Sequence, residues 1–273
     1  MLIAAENNHF DIFSILLNHQ DIVIGESALK ECFSLTQIAI PSSITSIGVE
    51  SFACCINLAV VEIPSSLKTI EEYSFYGCSH LQRITIPSSV TKIGKYSFYG
   101  CSSLKEVDIQ TTKIEAIEKY TFYECSSLNE IYIPNSVKRI ESNAFGRCYS
   151  LSKLSIPDSV MLIGQSCFVG CSSLKKISFN SLLSQFGCGC FSWCTKLKKV
   201  KLPSSVSVIP DYLFSGCSSL AQISIPSSVT IIGNHSFCSC TSLVQIVIPS
   251  SVTLIGISAF SYCSSLKKII IPH

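Results

Sequence analysis

The chain has 273 residues, of which 47% are hydrophobic and only 14% are charged, and its formal net charge is +2. This composition excludes an intrinsically disordered chain, because disordered chains are poor in apolar side chains and rich in charge. The near-zero charge also means that no global field attracts nucleic acid or an anionic membrane, so neither is an expected partner.

Residues 1–20 differ from the rest of the chain. Between Ile12 and Leu17 apolar residues recur at helical spacing, and Leu2 to Asn18 resembles the two helices of an ankyrin repeat without its β-turn. We predict a truncated ankyrin-like helical cap over residues 1–20. Two interpretations stay open: the helices cap the unit that follows, or they end an ankyrin array that lies upstream.

The same segment bears on the location of the protein. It carries Glu6 and Asp11 and has no basic run before an apolar stretch, so it does not have the pattern of a signal peptide. Pro226 and Pro249 interrupt the least charged part of the chain, and no run of 18 apolar residues exists that could insert into a membrane. On the sequence as given we predict a cytoplasmic location.

The remainder of the chain, residues 21–273, is periodic. Residues 24–29 match the second half of a repeat, ten full repeats start at Cys32, and a partial repeat starts at Cys263. Every repeat has 23 residues except the one from Cys101 to Cys125, which has 24. The cysteines that mark the repeats are Cys32, Cys55, Cys78, Cys101, Cys125, Cys148, Cys171, Cys194, Cys217, Cys240 and Cys263. Such a period predicts a solenoid of stacked coils.

The columns of one repeat predict its local structure. Around Ile84 and Ile86 polar and apolar residues alternate, which indicates a short strand with the isoleucines inward. Pro87 ends that strand because it has no N–H, and Gly94 is expected to adopt a positive φ at a corner. Phe98 then lies in a short helical or 3₁₀ turn. Equivalent strands are expected to pair in parallel, and the extra residue near Gln110 is predicted to form a bulge that leaves the ladder intact.

The motif C-S-S-L-x-x-I-x-I-P-S-S-V-T-x-I-G-x-x-S-F-x-G resembles the leucine-rich repeat, and its 23-residue period is similar to that of the BspA-like subfamily. The resemblance covers residues 32 to 273. It implies a curved leucine-rich-repeat solenoid with a parallel β ladder on its concave side. Because many members of that subfamily are surface proteins implicated in adhesion and protein binding, it also implies a cell-surface location as the alternative to the cytoplasm.

The 16 cysteines invite a disulfide or metal site. Regular spacing explains most of them as buried reduced thiols that pack as small apolar groups. The densest cluster, Cys188, Cys190 and Cys194, has a spacing that suits zinc poorly. We predict no metal and no cofactor, and we expect Cys188 and Cys238 to be the accessible thiols. No catalytic motif is present, so we predict that the chain is not an enzyme.

The outward strand positions are the candidate partner-binding site. Charged residues are scarce in the chain, yet along this face acidic residues gather first, lysines follow, and valines end the row. Segregated charge of this kind guides the encounter with a protein partner. The candidate residues are Glu106, Asp108, Glu130, Tyr132, Lys153, Lys175, Lys176, Lys198, Lys199, Lys201, Val244 and Val247.

Three functions follow from these observations. The first is a non-enzymatic scaffold that binds a protein partner, of unknown identity, through the exposed ladder. The second is a cell-surface adhesin or surface antigen, as the BspA-like resemblance implies. The third is a regulatory fragment of a larger intracellular ankyrin-repeat protein. No polar repeat covers the C-terminal coil, which predicts that the chain could also associate with itself end to end.

Overall fold

The computed structural model describes residues 23–271, which form a parallel β-solenoid of about ten coils. A coil has a first strand, a corner that usually follows a proline, a second strand of two residues, and a turn segment that carries the repeated phenylalanine. In the coil from Cys171 an isolated bridge at Lys176 replaces the first strand. The solenoid prediction is therefore confirmed. The predicted ankyrin-like cap at residues 1–20 lies outside the described residues and remains a prediction.

Two sets of strands run along the solenoid. The first strands are β1 (Gln37–Ala39), β3 (Val60–Glu62), β5 (Arg83–Ile86), β7 (Glu106–Ile109), β9 (Glu130–Tyr132), β11 (Lys153–Ser155), β14 (Lys199–Lys201), β16 (Gln222–Ser224), β18 (Gln245–Val247) and β20 (Lys268–Ile270). The second strands are β2 (Ser46–Ile47), β4 (Thr69–Ile70), β6 (Lys92–Ile93), β8 (Ala116–Ile117), β10 (Arg139–Ile140), β12 (Leu162–Ile163), β13 (Gln185–Phe186), β15 (Val208–Ile209), β17 (Ile231–Ile232) and β19 (Leu254–Ile255).

Strands of successive coils pair in parallel with a register of one repeat. In β5 and β7, for example, Arg83 lies opposite Glu106 and Ile86 lies opposite Ile109. Among the first strands the pairs are β1–β3, β5–β7, β9–β11, β14–β16 and β18–β20. The second strands form the sheets β2-β4-β6, β8-β10-β12-β13 and β15-β17-β19. Inward strand residues such as Ile84 are buried and outward ones such as Arg83 are exposed, as the alternation predicted.

The core contains a continuous stack of phenylalanine rings, one per coil. Neighbouring rings lie nearly parallel, with centroids 5.1 to 5.7 Å apart. All of them from Phe52 to Phe237 are fully buried. Burying a ring of this size contributes about 1.5–3 kcal/mol, and no coil could bury its ring without a neighbour on each side.

The predicted helical or 3₁₀ turn around the phenylalanine is wrong, because no helix exists among residues 23–271. In a helix every N–H would donate to a carbonyl of its own segment. Here successive N–H groups donate alternately to the next coil and to their own turn segment. The Phe75 N–H donates to Ser97 O of the next coil at 2.8 Å, and the Tyr76 N–H donates back to Tyr73 O at 3.0 Å. The Gly77 N–H again crosses to the next coil, to Tyr99 O, at 2.7 Å.

This alternation depends on left-handed backbone conformations at two places in each turn segment. Every described residue with a positive φ lies two positions before or two positions after the phenylalanine column. Tyr73 and Gly77 are one such pair, with φ of 58° and 69°. Such values are costly for most L-residues, so the inter-coil hydrogen bonds must offset the strain.

Gly94 does not have the positive φ that its sequence context predicted. Its requirement for glycine comes instead from close approach between coils, because a Cβ atom there would lie 2.5 Å from the backbone nitrogen of Glu72. Contacts under about 3 Å are not tolerated by backbone atoms, which have nowhere to move in a packed solenoid.

The longer coil, between Cys101 and Cys125, places its extra residue outside the strand as predicted, after β7. The Thr111 hydroxyl, which is buried, donates to Val90 O and accepts from the Lys113 N–H at 3.2 Å. The prediction that the ladder is unaffected holds for the first strands β5 and β7, which pair, but not for β7 and β9, which do not. The second strands β6 and β8 do not pair, so that ladder is interrupted here.

The repeat cysteines have a hydrogen-bonding role as well as a packing role. From Cys55 to Cys263, each thiol donates to a carbonyl oxygen of the preceding coil, with Sγ to O distances of 2.9 to 3.3 Å. Except at Cys55, whose acceptor is Leu29 O, the acceptor is the carbonyl of a column phenylalanine. The thiol column therefore links each coil to the one before it.

Candidate binding surfaces

The outward residues of the first strands form one exposed surface, which we call the ladder face. In each coil it consists of three positions, which in the coil from Cys171 are occupied by Lys175, Lys176 and Ser178. The sequence-predicted site residues all lie on it, and the structure leaves each of them exposed. Their order along the solenoid is the one that the sequence predicted: acidic coils, then lysine coils, then the valines.

The acidic and basic parts of the ladder face meet at an ion pair. Lys153 lies opposite Glu130, and the Lys153 Nζ is 3.1 Å from a carboxylate oxygen of Glu130. Both side chains are more than half exposed, so this pair contributes at most about 1 kcal/mol. Further into the acidic part, Asp108 accepts a hydrogen bond from the Gln110 amide at 2.8 Å.

The lysines beyond Lys153 have no such partners. Lys176 and Lys199 form an isolated parallel β-bridge, so their side chains leave adjacent coils in register, about 5 Å apart at the backbone. Within residues 23–271 none of the following five lysines makes an ion pair, and together we call them the lysine cluster: Lys175, Lys176, Lys198, Lys199 and Lys201. Like charges placed directly opposite each other repel.

A shallow hollow lies where the two parts of the face join. Its volume is about 330 Å³, and its walls combine the charged groups of Glu130, Lys153 and Lys176 with the ring of Tyr132. Tyr132 is 63% exposed. At the far end of the face Val244 and Val247 are each 47% exposed, so the lysine cluster has apolar surface two coils away.

The cysteines do not form a metal site. Cys188 is exposed, whereas Cys190 and Cys194 are fully buried, so these three thiols face different surroundings and cannot converge on one ion. In the described part of the chain no group of three potential ligands comes together. Burial raises the pKa of the column thiols, to about 12 at Cys171 and Cys217, so they stay protonated and unreactive.

Sequence reasoning missed a second surface, which consists of six tyrosines on the turn segments. Three consecutive coils carry tyrosine two positions before and one position after the phenylalanine, in the pattern Y-x-F-Y. Tyr73, Tyr96 and Tyr120 stack as one column, and Tyr76, Tyr99 and Tyr123 stack as a second. The pattern was visible in the sequence, but only the stacking of coils brings the rings together. We call this surface the tyrosine groove.

None of the described segments is a helix of the length and apolar character needed to cross a membrane.

The chain matches a family model described as the BspA type leucine-rich repeat region over residues 22–151, 108–220 and 163–273. No curated protein matches it. Among solved structures, a leucine-rich repeat protein from Bacteroides ovatus is 30% identical, with a TM-score of 0.64 over 91% of this chain and 82% of that one. A leucine rich cell surface protein from Faecalibacterium prausnitzii is 31% identical, with a TM-score of 0.52 over 90% and 67%. The pneumococcal vaccine antigen PcpA, at 21% identity and a TM-score of 0.54 over 87% and 62%, shares the fold.

Proposed function

We propose that this chain, which belongs to the BspA-type leucine-rich repeat family, is a non-enzymatic scaffold that binds a protein partner through its ladder face. The observation that carries the proposal is the lysine cluster: five exposed lysines on adjacent coils, with no ion-pair partner among residues 23–271. In a chain with so few charged residues, this is the strongest local concentration of one sign on the face.

The chemistry of the cluster defines the partner's surface. Acidic side chains of a partner would relieve the repulsion between Lys176 and Lys199, and would be attracted over several ångströms before contact. The exposed Val244 and Val247 then provide apolar surface that loses water on binding. The residues proposed to take part beside the cluster are Glu106, Asp108, Glu130, Tyr132 and Lys153. The three carboxylates among them would bind basic groups of the partner.

An acidic peptide tests the assignment of the face. The probe is a capped decapeptide that alternates glutamate and glycine, and its control is the same peptide with glutamine. We expect Lys176→Glu combined with Lys199→Glu to weaken binding of the acidic peptide about tenfold, since two attractive charges become repulsive. The dependence of binding on salt should also become shallower.

The matched control reverses two exposed lysines that lie off the ladder face, Lys68→Glu and Lys113→Glu. This variant has the same net charge as the test variant, so a purely global charge effect would weaken binding equally in both. Equal loss in the two variants, or unchanged binding in the first, would remove the ladder face from the proposal.

A second candidate is a role at the cell surface, as an adhesin or surface antigen. It is favoured by the likeness to the Faecalibacterium prausnitzii protein, whose name describes it as a cell surface protein. Labelling of intact cells with a membrane-impermeant biotin reagent separates the two locations. Labelled chain supports the surface role, whereas unlabelled chain in the soluble fraction supports an intracellular scaffold.

Self-association through the C-terminal coil is a third proposal. Ile257, in the repeat from Cys240, is 74% exposed, and Ile269, in the partial repeat from Cys263, is 49% exposed. Apolar surface of this kind favours contact with a second copy. Sedimentation velocity over a hundredfold range of protein concentration should show growing oligomers. A monomer throughout would exclude this contact.

A further inference from the structure

The tyrosine groove combines stacked rings with a regular spacing along the solenoid axis. Ring centroids are 4.7 and 4.6 Å apart in the column of Tyr73, Tyr96 and Tyr120. They are 4.9 and 5.1 Å apart in the other column. Rings of the same coil are inclined to each other by 38° to 59°, so the columns form the sides of a furrow. The cavity along it has a volume of about 540 Å³.

The phenol groups of the groove are hydrogen-bond donors without a protein acceptor. No tyrosine hydroxyl donates to or accepts from any group within residues 23–271, although all six side chains are half-buried. Burial raises the pKa of Tyr96, Tyr99 and Tyr123 above its ordinary value. The phenol groups of the two columns therefore form two rows of donors along the furrow.

An ion pair lies at each end of the groove, and Glu31, which has no ion pair among residues 23–271, also lines its cavity. At one end the Lys30 Nζ lies 2.7 Å from a Glu50 carboxylate oxygen. At the other end the Arg147 guanidinium contacts Glu124 at 2.8 Å and lies 5.6 Å from the centroid of the Tyr123 ring. The groove consequently presents aromatic surface and hydroxyl donors with little net charge. Its complementary ligand is uncharged, apolar, and rich in hydrogen-bond acceptors.

We propose that the tyrosine groove is a second binding site, separate from the ladder face, and that it binds a proline-rich peptide segment in the polyproline II conformation. Such a segment has no internal hydrogen bonds, so all its carbonyl oxygens are free to accept from the phenols. Its prolines are rigid and apolar, and aromatic grooves are the usual sites that bind them.

The dimensions of the ligand and the groove agree. Polyproline II repeats every three residues, about 9.3 Å along its axis. Two ring spacings in the column from Tyr73 to Tyr120 cover the same distance, given centroid separations of 4.7 and 4.6 Å. Prolines at positions i and i+3 would therefore meet equivalent places on the groove two coils apart. The carbonyl oxygens between them would face the hydroxyl of the intervening coil.

Binding of labelled peptides to the full chain, followed by fluorescence anisotropy, tests this site. The probe is a capped twelve-residue peptide of repeated Pro-Pro-Ala, and the control is its mirror image made from D-residues. The composition is identical, but the D-peptide winds with the opposite hand and places its carbonyls differently. We expect saturable binding of the L-peptide and at least tenfold weaker binding of the D-peptide.

Conservative variants locate the site. Tyr96→Phe and Tyr99→Phe keep the stacked rings and remove only the donors, so each should weaken binding about fivefold. Tyr132→Phe, on the ladder face, is the matched control and should leave binding unchanged. Lys176→Glu combined with Lys199→Glu should also leave it unchanged, which makes this test independent of the proposal for the ladder face.

Three results would overturn the inference. The first is no saturable binding of the L-peptide by the unaltered chain. The second is equal binding of the two mirror-image peptides, since shape-specific recognition requires a preference. The third is binding of a neutral oligosaccharide to the groove without binding of the peptide, which would assign the stacked rings to a sugar instead.

Discussion

At the scale of single residues, the repeat cysteines matter more for their environment than for their reactivity. From Cys55 to Cys263, each thiol of the repeat column donates a hydrogen bond to a carbonyl of the preceding coil, and most of these thiols are completely buried. A thiol held in this way cannot ionise without placing a charge in the core, which explains the raised pKa values. The abundance of cysteine is therefore compatible with a chemically inert interior. Cys188, in contrast, is exposed to solvent.

This environment predicts that the protein loses stability at alkaline pH. The pKa of Cys171 is about 12 in the folded chain, against an ordinary value of 9.0. Thiols ionise more readily in the unfolded chain, so stabilisation that is complete below pH 9 is lost as the pH rises towards 12. Urea unfolding at pH 8, 9 and 10 should show a falling free energy of unfolding.

The variant Cys148→Ala tests the origin of that fall. It removes a buried thiol that donates to Phe122 O at 3.1 Å, so we expect about 1–2 kcal/mol less stability at pH 7. Its free energy of unfolding should also fall less steeply with pH, because up to one proton fewer is released on unfolding. Cys188→Ala removes an exposed thiol and should change neither quantity, and a pH dependence that is identical in all three proteins would refute the explanation.

At the scale of elements, the turn segment is the part that sequence reasoning described least well. The strands were predictable because alternation of apolar and polar residues reports directly which side chains face the core. The turn depends on where each N–H group finds its acceptor, and half of those acceptors belong to the next coil. The residues around Phe75 do not reveal that its N–H donates to Ser97 O of the next coil. A helical turn, in which all hydrogen bonds are local, was therefore predicted instead.

The same reasoning applies to glycine and predicts a difference between two columns. In Gly94→Ala the new Cβ would meet backbone atoms of Glu71 and Glu72 at 2.5 to 2.8 Å, so we expect a loss of more than about 2 kcal/mol in unfolding free energy. In Gly100→Ala the nearest atom is 3.7 Å away, and the cost is limited to the left-handed backbone, about 1 kcal/mol. Equal losses in urea unfolding would contradict the close-approach explanation.

The candidate surfaces were predictable to different extents for a related reason. The positions of the lysine cluster followed from the repeat register alone, because outward strand residues must line up when coils stack. The pairing of Lys153 with Glu130 did not, since it depends on side-chain reach across the ladder. The tyrosine groove needed knowledge of which turn residues become neighbours, and that required the coil geometry that the sequence reasoning had wrong.

At the scale of the whole molecule, stability is a sum of contacts between neighbouring coils. The phenylalanine stack is continuous, but the second ladder is interrupted between β6 and β8 and again between β13 and β15. The first of these gaps coincides with the 24-residue coil, where Thr112 and Lys113 are exposed. In a solenoid, local opening is expected to begin where a neighbour contact is missing.

Limited proteolysis should detect that weak point. We expect trypsin to cleave after Lys113 at an earlier time than after Lys138, which lies beside β10, because cleavage requires a locally opened backbone. Mass spectrometry of early time points identifies the first fragments. Initial cleavage after Lys138, beside a strand that pairs on both sides, would mean that the interrupted ladder does not determine where the solenoid opens.

The crossed hydrogen bonds of the turn segments give the molecule a mechanical character. Each coil is fastened to the next by bonds that run along the solenoid axis, so a force applied at the two ends loads those bonds directly. Under tension the chain would peel one coil at a time from an end, and it would lengthen in nearly equal steps because nearly every coil contains 23 residues. A tether built in this way gives up length gradually and resists sudden rupture.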